Sequence, residues 1–277
     1  MTPLDKENEL RRYVRCLNSL AIAYSGGVDS TYLLKIAVDE LGDNVLAVTA
    51  TSSTYPEREL KKAQSLAERI GARHMLVKSE ETEIPEFKNN PPDRCYFCKR
   101  ELFLKVAAIA KEHGILNLAD GSNRDDLNDF RPGLTALLEL GVISPLKICG
   151  FTKQDIRERS RILRLPTWDQ PAFACLSSRF PYGTPITREN LEKIDRAENE
   201  LYQLGLRVVR VRHHGSVARL EIGSDELTLF ADREFRQRVI TAVKGAGYTY
   251  VTLDLEGYRT GSMNEELRPS KMIREDA

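Results

Sequence analysis

The sequence predicts an α/β protein: a parallel sheet with helices on both faces, followed by a small α+β domain. Three observations lead there. Short apolar runs alternate with helical stretches through the first part of the chain, the order that builds a parallel sheet. Near Leu165 this gives way to "PTWDQPAFACLSSRFPYGTP", crowded with proline, small residues and aromatics. Beyond that segment the order becomes helix, strand, strand, helix, strand. Two domains are therefore expected, 1–165 and 166–277.

The elements follow in order. Leu10, Tyr13, Val14 and Leu17 recur at helical spacing and predict an opening amphipathic helix. "LAIAY" (20–24) is a buried strand, and "STYLLKIAVDELG" a helix closed by Gly42. "NVLAVTA" (44–50) is the next strand, and Pro56 to Ile70 a helix stopped by Gly71. "RHMLVKS" (73–79) is a strand, Lys99 to His113 a helix, and "ILNLADGSN" (115–123) a strand running into a turn. "GVISPLK" (141–147) reads as a fifth strand, and 152–165 as a helix capped by Thr152. The second domain offers a helix at 188–204, strands at 206–214 and 217–223, a helix at 233–244 and a strand at 248–255. Trp168 reads as core, and the polar tail after Asn264 as loose.

Lys+Arg 41 against Asp+Glu 41 leaves no net charge, which argues against nucleic acid or an anionic membrane as partner. No signal-like apolar core opens the chain, and no run approaches the ~20 apolar residues of a membrane span. A cytoplasmic protein is expected. Five cysteines are too few for a disulfide scaffold and are expected as thiols.

"SGGVDS" (25–30) stands where the first strand hands over to a helix, at the sheet edge where ligands bind. Gly26 and Gly27 let the backbone approach a ligand closely, and successive N–H groups with the helix N-terminus form an anion cradle. Ser25 and Ser30 add hydroxyls. Asp29 would repel a bare phosphate, so it suits Mg²⁺ or a helix cap. Against this stands a plain tight turn. The loop resembles that of the PP-loop ATP pyrophosphatases, which implies ATP, with pyrophosphate departing as a substrate oxygen attacks the α-phosphate. "DGSNRDDLNDFRPG" (120–133) lies on the same edge; Asn123, Asp126, Asp129 and Arg131 suit Mg²⁺, substrate or simply an Asx-rich turn.

"DRCYFCKR" places Cys95 and Cys98 at a helix start, a spacing equally open to chance pairing, a redox dithiol or a metal site. Cys175 lies beside Ser177, Ser178 and Arg179, which favour thiolate and can receive phosphate. Cys16 and Cys149 read as packed small hydrophobes. In "RVVRVRHH", alternation sends Arg210 and Arg212 to one face, either a solvated row or a phosphate clamp.

SGGVDS, "NDFRPG", "SSRFPYGT", "VRVRHH" and "TLDLEGYRTGSMN" together resemble the LarE family of ATP-dependent sulphur transferases, from about Leu20 to Asn264. The resemblance implies adenylation of a carboxylate of pyridinium-3,5-biscarboxylic acid mononucleotide and its conversion to a thiocarboxylate, in nickel-pincer cofactor synthesis. It also implies Lys99 near the triphosphate or acyl carbon, Arg210 and Arg212 on the nucleotide phosphate, Glu221 orienting them, and a homo-oligomer. Some family members lose sulphur sacrificially from one cysteine. Others carry three, able to hold a 4Fe–4S cluster, and Cys95, Cys98 and Cys175 fit that type. The sequence names no sulphur donor. The rival readings are a PP-loop tRNA thiolase, an amidating PP-loop synthetase and a non-enzymatic iron–sulphur carrier.

Overall fold

The structure, a computed structural model, describes residues 1–128, 132–171, 174–259 and 261–267. It divides into two units, Met1–Cys175 and Leu176–Ala277, so the boundary falls inside the irregular segment rather than at its start, and Cys175 belongs to the first unit.

Unit 1 runs α1 (Pro3–Cys16), β1 (Leu20–Ala23), α2 (Val28–Leu41), β2 (Val45–Thr51), α3 (Glu57–Ile70), β3 (Arg73–Lys78), α4 (Pro85–Lys88), α5 (Arg94–Glu112), β4 (Leu118–Ala119), α6 (Gly133–Glu139), α7 (Pro145–Ile148) and α8 (Lys153–Ile162). Among the described residues its strands form a four-stranded sheet in the order β3-β2-β1-β4, all parallel. Strand alternation serves both faces. Leu20, Ile22, Val45 and Ala47 join a core with Leu10 and Val14 of α1, Leu33 and Ile36 of α2, and Ile156 of α8. Ala21, Leu46 and Val48 join a second core with Phe103, Val106 and Leu137 from α5 and α6. The expected helices on both faces are present.

The fifth strand is not. Ile143 makes one isolated parallel bridge to Ala119, and the chain then turns into α7. Pro145 has no N–H to give a ladder, but it suits the first turn of a helix. The α5 helix begins earlier than the apolar pattern suggested, so both Cys95 and Cys98 lie within its first turns. Trp168 is 39% exposed rather than core, and Cys16 is exposed at the end of α1. Cys149 is buried as expected, following α7.

Unit 2 runs α9 (Arg188–Gln203), β5 (Val209–His214), β6 (Val217–Ile222), α10 (Arg233–Gly245) and β7 (Tyr250–Leu253). Its sheet is mixed, β5-β6 antiparallel and β6-β7 parallel. Leu191, Ile194, Ala197 and Leu201 recur along one face of α9, which packs on β5 and α10. Of the tail expected to be loose after Asn264, residues 265–267 belong to a 3-10 helix, Ser262–Leu267, and 268–277 lie outside the described residues, as do Asp129 and Arg131.

Candidate functional site

The nucleotide loop is built from β1 and the first turn of α2. Gly26 sits at φ +65°, and a Cβ there would lie 3.0 Å from the Ala63 backbone on α3, so only glycine fits. Gly27 caps α2 without any side-chain hydrogen bond, leaving the helix amides open to an anion. Ser25 and Ser30 face each other, Oγ to Oγ at 3.2 Å, and Tyr55 donates to the Ser25 carbonyl at 2.7 Å. Gly121 follows β4 closely against the loop; a Cβ there would meet the Ser30 nitrogen at 3.0 Å.

Asp29 is the loop's acid. One carboxylate oxygen pairs with Lys153 at the start of α8; the other, Oδ1, is buried with no hydrogen-bond partner. Burial raises its pKa, Lys153 opposes that, and the charge of nearby Asp126 adds to the rise. An orphaned carboxylate oxygen near a second acid is a hard-oxygen arrangement that fits Mg²⁺. Asn123 and Asp126 also build the expected Asx turn: the Asn123 N–H donates to Asp126 at 2.9 Å, and Asn123 accepts from the Asp125 N–H at 2.9 Å. Lys99 reaches toward the same edge, 3.5 Å from Asp120. Asp120 is buried and accepts from the Ser122 and Ser144 hydroxyls at 2.5 and 2.7 Å.

Cys95 and Cys175 both lie within electrostatic range of Cys98. The Cys98 thiol donates to the buried Glu81 carboxylate at 3.9 Å. Burial pushes that thiol well above its ordinary range; negative charge on Glu81, Cys175 and Cys95 pushes it further, and Lys99 opposes. Three thiols are the right donor set for an iron–sulphur cluster. Yet among the described residues no three His, Cys, Asp or Glu side chains come together as a metal-holding group.

Unit 2 holds the remaining candidates. Arg179 is buried and grips Glu198 on α9 with its fork, Nε to Oε1 and Nη2 to Oε2 both at 2.9 Å. Burial raises the Glu198 carboxyl pKa, but Arg179 outweighs it and holds the acid below its ordinary range. Arg179 also donates to Ser178 Oγ at 2.9 Å. Arg210 and Arg212 are each only 6% exposed, which rules out the solvated-row reading. Arg212 pairs with Glu221 at 2.6 Å and donates to Ser178 O at 2.6 Å and Ser262 Oγ at 2.9 Å. The Arg210 guanidinium lies 5.1 Å over the Tyr258 ring.

Sequence reasoning missed Lys153, Glu81, Asp120 and Glu198. Glu198 had a signal: it falls within the apolar stripe Leu191, Ile194, Ala197, Leu201, where an acid needs a buried partner. Asp120 had a local one in "DGS", an acid whose carboxylate accepts from the Ser122 N–H and hydroxyl two residues on, whereas Glu81 had none, its Cys98 partner lying 17 residues away.

The parallel sheet, the open-ended helix and the glycine loop define an ATP-binding enzyme of the PP-loop class. Residues 5–90 match a family model described as NAD synthase. The chain is 44% identical to an uncharacterized protein of Synechocystis, over 95% of this chain and 98% of that one. It is 39% identical to the pyridinium-3,5-bisthiocarboxylic acid mononucleotide synthase of Lactiplantibacillus plantarum, over 96% of each. An uncharacterized protein of Methanocaldococcus jannaschii is 31% identical over 87% of this chain and 91% of its own. The chain belongs to the LarE family of ATP-dependent sulphur-transferring enzymes.

Proposed function

We propose that the protein adenylates a carboxylate of pyridinium-3,5-biscarboxylic acid mononucleotide and converts it to the thiocarboxylate, the conversion implied by the name of the Lactiplantibacillus relative. The observation that carries this reading is an open anion loop in the same unit as Cys95, Cys98 and Cys175, with Lys99 following Cys98 on α5 and reaching toward the loop's edge.

The substrate carboxylate attacks the α-phosphorus of ATP, and the bond to pyrophosphate breaks. The amides at the start of α2, with Ser25 and Ser30, receive the departing pyrophosphate, and Asp29 and Asp126 are the residues that would hold Mg²⁺. Lys99 offsets the negative charge that develops on the acyl oxygen when the acyl carbon is attacked. Arg210 and Arg212 take the substrate phosphate, Glu221 fixing Arg212, while Arg179 braces Ser178 against Glu198. Sulphur then attacks the acyl carbon and AMP leaves with the electron pair of the broken C–O bond.

Cys95, Cys98 and Cys175 would hold a 4Fe–4S cluster, which when bound supplies sulphide. In the second route Cys175 itself forms the thioester; loss of its α-proton and cleavage of Cβ–S leave dehydroalanine and release the thiocarboxylate. A homo-oligomer acting in the cytoplasm completes the proposal.

The test is purification without oxygen, followed by an absorption spectrum and iron and sulphide assays. Visible absorbance with about four irons per chain, lost in Cys95→Ala and Cys98→Ala, supports the cluster. Colourless, iron-free protein overturns it. A product chain lacking the Cys175 sulphur by intact mass would then establish the sacrificial route.

A further inference from the structure

The α8 helix carries three basic residues four apart, Lys153, Arg157 and Arg161, a spacing that puts them on neighbouring turns of one face. Each meets a different part of unit 1. Lys153 pairs with Asp29 of the nucleotide loop. Arg157 donates to two backbone carbonyls of the segment after α8, Nη1 to Trp168 O at 2.8 Å and Nη2 to Gln170 O at 2.7 Å. The Arg161 guanidinium lies 5.3 Å from the centre of the Trp168 ring. The two gripped carbonyls precede Cys175 in the chain, Gln170 by about 17 Å of fully extended contour at most.

The helix making these contacts is itself well anchored. Thr152 and Asp155 form a capping box, Lys6 pairs with Asp155 at 2.6 Å, and Arg159 pairs with buried Glu7 at 2.7 Å. Ile156 and Ser160 are buried against the rest of the unit. One fixed helix therefore touches both the acid of the ATP loop and the backbone leading to the sulphur-bearing residue.

We propose that Arg157 is a positioning residue for sulphur delivery: its fork clamps the backbone at Trp168 and Gln170 and so sets where Cys175 stands relative to the nucleotide loop. The role needs arginine. A guanidinium can donate to two carbonyls at once in a fixed plane, whereas an ammonium is a point charge. Arg157 also lies within electrostatic range of Asp29 and helps oppose the rise in its pKa, consistent with its place beside the loop. The proposal rests on Cys175 taking part in sulphur transfer.

The test compares wild type, Arg157→Ala and Arg157→Lys as full, reduced chains. Alkylation of each cysteine by iodoacetamide is followed by peptide mass spectrometry. Buried Cys149 serves as an internal gauge of folding. With Cys149 protected, Cys175 should alkylate about tenfold faster in both variants, the loss expected when charged hydrogen bonds holding a segment are removed. Thiocarboxylate formation should fall by a larger factor than ATP–pyrophosphate exchange. Wild-type Cys175 rates in both variants, or in Arg157→Lys alone, would overturn the fork clamp. If Arg157→Ala exposes Cys149, Arg157→Lys decides the matter. If wild type makes no thiocarboxylate, the sulphur-transfer reading fails, while the alkylation comparison still judges the clamp.

Discussion

Gly26 holds the nucleotide loop by having no side chain. Its positive φ and the 3.0 Å approach to Ala63 both exclude a Cβ. Gly26→Ala should lower stability by about 1–3 kcal/mol and abolish ATP–pyrophosphate exchange; calorimetry and the exchange assay check the two parts. At Cys98 the sulphur is held as thiol, through burial first and neighbouring negative charge second. In metal-free protein near neutral pH it should alkylate more slowly than exposed Cys16 and gain rate as pH rises. Glu81→Gln removes one of the charges raising its pKa, so the variant should alkylate faster at Cys98; an unchanged rate would make Glu81 electrostatically silent. What could be read from the sequence at this scale was chemical type. SGGVDS, the CxxC and the alternating arginines sit where their pattern placed them. Trp168 came out exposed, its ring beside the Arg161 guanidinium, a contact with no periodic signature.

Elements were legible where a period and a stop signal agreed. Gly42 and Gly71 close α2 and α3 as expected, and Thr152 caps α8. The expected strand at 141–147 failed because an apolar run says nothing about which N–H groups are free to pair, and Pro145 lacks one. In α1, Glu7 shares the face of Leu10 and Val14, and three elements meet on it: Arg159 donates at 2.7 Å, Tyr32 at 2.9 Å and Arg11 at 3.1 Å. Burial raises the Glu7 carboxyl pKa, but hydrogen bonds from Arg159 and Tyr32 win and hold it below its ordinary value. A depressed carboxyl stabilises the fold above its unfolded pKa and loses that contribution as pH falls through the folded one. Glu7→Gln should therefore cost about 3–5 kcal/mol at neutral pH. The gap to wild type should narrow steadily below the ordinary glutamate range. Urea melts across pH 3–7 would show it, and a pH-independent gap would assign the loss to packing.

At the scale of the whole molecule, balanced charge argues against an RNA substrate. Sulphur transfer to RNA would call for a basic surface that 41 positive and 41 negative residues do not supply in bulk. Bulk tRNA at about 0.15 M salt should neither bind measurably nor change ATP–pyrophosphate exchange. Tight, salt-sensitive binding would revive the RNA reading. The two-part organisation was visible in the changed order of elements, but the contacts that complete each site were not: Asp29 with Lys153, Lys99 with Asp120 and Arg179 with Glu198 join positions far apart in sequence or on separate elements.

The strand order carries a consequence for how the chain is made. β1 lies between β2, which follows almost at once, and β4, whose Leu118 pairs with Ala21. During synthesis at about 5–20 residues per second, β1 and β2 have emerged roughly 3–13 seconds before β4, the partner on β1's other side. Throughout that interval one edge of β1 is an unsatisfied row of amides and carbonyls, able to pair with any extended segment nearby. Lys153 arrives later still. ATP therefore meets a finished cradle only after most of unit 1 has been made, and the nucleotide can reward correct assembly but cannot guide its first steps.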